Sequence, residues 1–99
     1  MADAPLPALV LYGRAECSLC DETREILRAL LDERATRGLP TPTLTDVDIE
    51  ADRDLERRYF DRIPVVELAD RRLELATSAA KLRRLLSDVL DGSPATTPA

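Results

Sequence analysis

Two hydrophobic periods alternate along this chain, and they divide it into seven elements. Leu9-Val10-Leu11-Tyr12 is a short unbroken apolar run, so residues 8–12 read as a buried strand. From Ser18 to about Arg37 the apolar positions Cys20, Ile26, Leu27, Leu30 and Leu31 recur at helical spacing, and Gly38 followed by Pro40 supplies the stop. Leu44 to Ile49 alternates, with Thr45, Val47 and Ile49 facing one way and Leu44, Asp46 and Asp48 the other, the pattern of a strand. Asp52 suits the N-cap of a short helix reaching about Phe60, with Leu55 and Tyr59 on one face. Pro64–Leu68 and Arg72–Ala76 read as two strands joined at Asp70-Arg71. Thr77 or Ser78 caps a last helix whose Leu82, Leu85, Leu86, Val89 and Leu90 form an apolar stripe.

The order is β-α-β-α-β-β-α. The first two strands are separated by a helix and must run parallel, whereas the last two are close enough in sequence to pair antiparallel. The expected fold is α/β, a four-stranded mixed sheet with helices on both faces. Residues 1–7 form a loose lead-in, 8–90 the domain, and 91–99, rich in Pro and Thr, a disordered tail.

Composition narrows the function. The 99 residues suffice for one core, and with 3% aromatic residues that core is built from Leu, Val, Ile and Ala. A net charge of -5 argues against nucleic acid and anionic membrane surfaces as partners. No run approaches the length of a membrane span, and the N-terminus lacks a basic signal-peptide region, so a cytoplasmic protein is expected. In that compartment thiols are kept reduced, and a lone cysteine pair points to catalysis, redox sensing or metal binding.

That pair is Cys17-Ser18-Leu19-Cys20, at the junction of the first strand and the first helix. There is no histidine and no second cysteine pair, which leaves too few ligands for a zinc site within the chain. A cluster bridging two chains would need four thiolates. Thiol–disulfide exchange needs only what is present. Unpaired N–H groups and the positive end of the helix dipole favour a thiolate at Cys17. Cys20, one turn deeper on the same side, lies within disulfide reach.

The segment Leu11-Tyr12-Gly13-Arg14-Ala15-Glu16-Cys17-Ser18-Leu19-Cys20-Asp21-Glu22, together with Val47-Asp48-Ile49 and Arg62-Ile63-Pro64-Val65-Val66, resembles the glutaredoxin-like branch of the thioredoxin fold over about residues 8–90. The resemblance implies a dithiol–disulfide oxidoreductase in which Cys17 is the nucleophile and Cys20 resolves the mixed disulfide. It implies a cis Pro64 shaping the substrate groove, with the Ile63 backbone pairing to an extended substrate. Arg14 matches a lysine that tunes the thiolate or binds a carboxylate. Tyr12, Thr77 and Ser78 fall where ligand contacts are made, but packing is the first reading of Tyr12 and helix capping that of Thr77 and Ser78, with ligand contact second. Asp46, Asp48 and Glu50 read as a solvated strand end. Glutaredoxins carry Cys-Pro-Tyr-Cys where this chain has Ser18-Leu19 between its cysteines. They hold the γ-glutamyl end of glutathione on a Gly-Gly pair followed by a Cys/Ser/Thr-Asp segment, for which this chain has Glu74-Leu75-Ala76-Thr77-Ser78-Ala79. Glutathione as cosubstrate and a reductase as electron donor both stay open. The substrates implied are protein or small-molecule disulfides, with no prosthetic group, no metal, and nothing that demands more than a monomer. The competing reading is a non-enzymatic interaction module or redox sensor on the same fold.

Overall fold

The computed structural model describes residues 6–92. Strand β1 (Leu9–Gly13) leads into helix α1 (Ser18–Thr36), then β2 (Leu44–Asp48), a 3₁₀ turn (Ile49–Ala51), α2 (Arg53–Tyr59), β3 (Val65–Leu68), β4 (Arg71–Leu73) and α3 (Ala79–Leu90). The sheet order is β2-β1-β3-β4, so β1 sits inside it. It pairs parallel with β2 and antiparallel with β3, and β3 pairs antiparallel with β4.

The alternation of β1 sorts the two layers. Leu9 and Leu11 are buried among Leu27, Leu30, Leu82, Leu85 and Leu86, so α1 and α3 cover one face. Tyr12 points the opposite way and packs with Leu55, Tyr59 and Val65, where α2 covers the other face near the cysteine loop. Helices therefore flank both sides of a mixed sheet, as the element order implied. Asp46, on the α1 face of β2, meets Arg24 of α1 at 2.9 Å.

Local chemistry sets the helix ends. Asp52 caps α2 by accepting from the N–H groups of Asp54 and Leu55 at 2.9 and 3.3 Å. Of the two candidates for α3, Ser78 is the cap, its hydroxyl accepting from the Lys81 N–H at 3.2 Å. Helix α1 stops at Gly38, whose φ of 71° is the left-handed conformation glycine adopts freely. The Gly38 and Leu39 N–H groups then close on the carbonyls of Ala35 and Arg34 at 3.1 and 2.9 Å.

Besides one-residue shifts in β1, α2 and β3, four differences from expectation have a cause in the packing. Strand β2 ends at Asp48 because that side chain accepts from the Glu50 N–H at 2.8 Å and starts the 3₁₀ turn, which drives Ile49 into the core. The hairpin turns at Ala69-Asp70 rather than Asp70-Arg71, since Leu68 pairs with Arg71. Strand β4 ends at Leu73 instead of Ala76. Beyond it the Leu75 N–H donates to the Arg62 carbonyl and the Ala76 N–H to the Pro64 carbonyl, at 2.9 and 2.8 Å. The Ala76 carbonyl in turn accepts from buried Thr23 Oγ1 at 2.7 Å, drawing the segment under α1.

The fourth difference is Asp91, placed by the sequence pattern in a tail. It is the C-cap of α3, and its carboxylate takes two hydrogen bonds from the nearly buried guanidinium of Arg34. Arg34 also donates to the Pro40 carbonyl at 2.7 Å, so one side chain joins the ends of α1 and α3 to the loop before β2. Residues 93–99 of the expected tail, and 1–5 of the expected lead-in, lie outside the described residues.

Removing this carboxylate leaves a largely buried guanidinium short of its partner. Asp91→Ala is expected to cost about 2 kcal/mol of stability, read from the shift of the urea midpoint at constant slope.

Candidate active site

The loop between β1 and α1 carries the chemistry. Cys17 is the N-cap of α1, with φ −116° and ψ 105°, and its sulfur accepts from the Cys20 N–H at 3.2 Å. A sulfur so placed is stabilised as an anion by a backbone donor and by the positive end of a five-turn helix. Cys17 is half-buried and Cys20 is fully buried. The two sulfurs are in bonding contact, and their Cα atoms are 5.2 Å apart, inside the span of about 4.4–6.8 Å that a disulfide requires. One thiol can thus meet an incoming molecule while the other waits beneath it.

Gly13, which the sequence reading passed over, makes room for this. A Cβ built there would lie 2.9 Å from Cys20 Sγ and 3.1 Å from its Cβ. Gly13 does not have a positive φ, so the constraint is steric and not conformational. The only hint available in the sequence was a glycine closing an apolar strand just before the cysteine loop.

Of the residues singled out from the sequence, Cys17, Cys20, Ile63 and Tyr12 fall in one packed cluster with Ile49, Tyr59, Val65 and Leu55. The Ile63–Pro64 bond is cis, and Pro64 is fully buried. The Ile63 N–H is engaged by the Tyr59 carbonyl at 3.2 Å. Tyr12 is a packing residue: its ring centroid is 5.1 Å from that of Tyr59, and its hydroxyl donates to Glu67 Oε1 at 2.9 Å. Arg14 is exposed and pairs with Glu50 at 3.7 Å. Thr77 and Ser78 stand at the N-terminus of α3, where the Ser78 hydroxyl is spent on the cap and Thr77 is exposed. Arg14, Thr77 and Ser78 all lie outside the cysteine cluster.

The acids near Cys17 are managed by another residue that sequence reading missed. Arg24 donates to Asp21 at 2.8 Å and to Asp46 at 3.0 Å, so the carboxylate in the first turn of α1 is paired one turn on. Hydrogen bonds to Asp46 first, and then to Asp21, hold Arg24 even more firmly charged than usual. Glu16, directly before Cys17, is exposed and has φ 58°.

The fold and this site define a thioredoxin-like protein with a Cys17-x-x-Cys20 pair at bonding contact. The chain matches the model of the glutaredoxin-like domain (DUF836) over residues 8–90 and belongs to that family. No curated protein matches it. Among solved structures it is similar to the target protein XcR50 from X. campestris, in a crystal structure with 33% identity, a TM-score of 0.65, and coverage of 88% of this chain and all of that one. The solution structure of XcR50 has a TM-score of 0.62 at the same identity, covering 88% of this chain and 96% of the other. Protein Ne2328 from Nitrosomonas europaea is 26% identical with a TM-score of 0.62, over 93% of this chain and 95% of its own.

Two expectations follow. Gly13→Ala forces Cys20 or the end of β1 to shift, at a cost of about 1–3 kcal/mol. The loss should appear in thermal unfolding of the oxidised protein and shrink in Cys20→Ala, where no sulfur meets the new methyl group. The second concerns Tyr12, whose phenol is held above its usual pKa, first by burial and then by its bond to Glu67. The folded state keeps that proton more tightly than the unfolded state. The resulting stability is fully present below the unfolded value of about 10 and is lost as pH rises through the folded value. In urea titrations across pH 9–12, Tyr12→Phe should lack this part of the alkaline decline.

Proposed function

We propose that the chain is a dithiol–disulfide oxidoreductase that reduces disulfides with Cys17 and Cys20. The observation that supports it most is the pairing of a half-buried sulfur at a helix N-cap with a fully buried sulfur at bonding contact. In the reduced protein the Cys17 thiolate attacks one sulfur of a substrate disulfide. The substrate S–S bond breaks, a Cys17–substrate disulfide forms, and the departing thiolate takes a proton from solvent. Cys20, deprotonated in its turn, attacks Cys17 Sγ. The mixed disulfide breaks, the second substrate thiol leaves protonated, and Cys17–Cys20 closes. Two electrons and two protons have passed from the protein dithiol to the substrate. An external thiol, glutathione or the dithiol of a reductase, restores the reduced state. No metal or organic group enters any step.

The other proposed contributors act around this pair. Ile63 and Pro64 are proposed to back the substrate at Cys17, since Ile63 packs in the cluster that holds both cysteines. Arg14 and Thr77, both exposed, and Ser78 are proposed as outlying contacts for a substrate, and Tyr12 packs within the cysteine cluster. The reaction suits the cytoplasm, where thiol pools regenerate the dithiol.

The test is the thiolate absorbance of the reduced protein against pH, with Cys17→Ser as the control. A Cys17 pKa below about 7 is expected, against a free value near 8.5. Cys17→Ser should abolish disulfide reduction, and Cys20→Ser should accumulate a mixed disulfide visible by mass spectrometry. A thiol that titrates at the free value and a Cys20→Ser variant that traps nothing would return the chain to the interaction-module reading.

A further inference from the structure

Helix α1 buries one stripe along its length: Cys20, Thr23, Leu27, Leu30 and Arg34. Thr23 and Arg34 are the buried polar side chains among the described residues. Arg34 ties the far end of the helix to Pro40 and Asp91. Thr23 stands at the end that carries the cysteines, one turn after Cys20 and sealed from solvent.

A threonine hydroxyl inside a helix ordinarily bonds back to a carbonyl of the preceding turn. That of Thr23 donates instead to the Ala76 carbonyl, 53 residues away, at 2.7 Å. Ala76 lies past the end of β4, is buried, and donates its own N–H to the Pro64 carbonyl at 2.8 Å. Two consecutive hydrogen bonds therefore run from α1, through one residue, to the Ile63–Pro64 segment. Ile63 packs in the cluster that holds both cysteines, and Pro64 is fully buried.

Volume and helix propensity do not call for a hydroxyl here, since valine would fill the same space with a similar propensity. What the hydroxyl adds is direction. Apolar contacts are non-directional and let a helix settle along its axis, whereas a buried hydrogen bond fixes both distance and angle. At this end of α1, Cys20 rests on Gly13 and sets the approach to β1. Thr23 sets the position against the strap that holds Pro64.

We infer that Thr23 is a positioning residue for the dithiol: through Ala76 it fixes where the start of α1, and with it Cys17, stands relative to the Ile63–Pro64 segment. The inference rests on the redox reading above, in which that segment backs the substrate. The Cys17 cap is made within residues 17–20. Thr23 therefore bears less on the sulfur chemistry that every disulfide meets than on the fit of an extended polypeptide that touches Cys17 and the Ile63–Pro64 segment together.

The test compares wild type, Thr23→Val and Thr23→Ser, each as the full chain in the reduced state, with two probes. One is hydroxyethyl disulfide, which is small enough to meet the sulfur alone. The other is the disulfide-linked dimer of a peptide of about ten residues with a central cysteine, roughly 33 Å long when extended. Rate constants are read from the closure of Cys17–Cys20 in quenched, alkylated samples, at a temperature where urea melts show each variant folded. Thr23→Val should lower the rate constant for the peptide at least about fivefold more than that for the small disulfide, as a misplaced contact does. Thr23→Ser keeps the hydroxyl and should retain the wild-type ratio. A general loss of structure would lower both probes alike. If Thr23→Val does not fold, Thr23→Ala, which leaves room for a water at the Ala76 carbonyl, takes its place with the same expectation. A ratio that loss of the hydroxyl leaves unchanged, or that Thr23→Ser shifts as far, overturns the inference while the redox reading stands. If wild type reduces neither probe, the redox reading falls and the inference falls with it.

Discussion

The contact on which the rest depends is the one between Cys20 and Gly13. A helix can begin directly over the end of β1 only if its first inward side chain has somewhere to go. Here that side chain is a small sulfur-bearing one, and the strand residue beneath it has no Cβ. With Cys20 seated there and sealed from solvent, Cys17 falls at the N-cap, the one position where a sulfur can accept from the first free backbone donors. The placement of the pair is thus a consequence of how closely a strand and a helix approach, and the approach is set by the smallest residue type.

A second constraint holds the other side of the site. The segment after β4 leaves the sheet at Leu73 and is tied back by bonds to Arg62, Pro64 and Thr23. Those ties brace the Ile63–Pro64 segment against the cysteine cluster from behind. They also force Leu75 into a conformation that a leucine resists. The same segment that is tied to Arg62 and Pro64 therefore leaves the Leu75 side chain open to solvent.

Much of this was legible in the chain. Cys17 and Cys20 stood out because chemistry, spacing and element order agreed, and Pro64 through the resemblance to the glutaredoxin-like branch. The apolar periods of α1 and α3 located the core, and the side-chain caps Asp52 and Ser78 marked helix starts. What escaped was whatever depended on partners far away in sequence. Arg34 looks like any exposed helix residue until Asp91, at the other end of the molecule, is brought beside it. Thr23 reads as an ordinary polar position until the Ala76 carbonyl arrives. Arg14, which the resemblance assigns to the thiolate or to a ligand carboxylate, is paired with Glu50, which the 3₁₀ turn after β2 carries into place.

The sequence by itself determined the elements, their order, the parallel and antiparallel pairings and the position of the cysteine pair at the strand-to-helix junction, because these follow from short-range periodicity, chain connectivity and residue chemistry. Only the tertiary structure decided which sulfur is half-buried and which is sealed, why Gly13 must be small, where β2 and β4 end, and that Leu75 stands strained and open next to the residue bonded to the cis proline. Each of those turns on which atoms from separate segments compete for one small volume or one hydrogen-bond partner, and that competition exists only once the chain has packed.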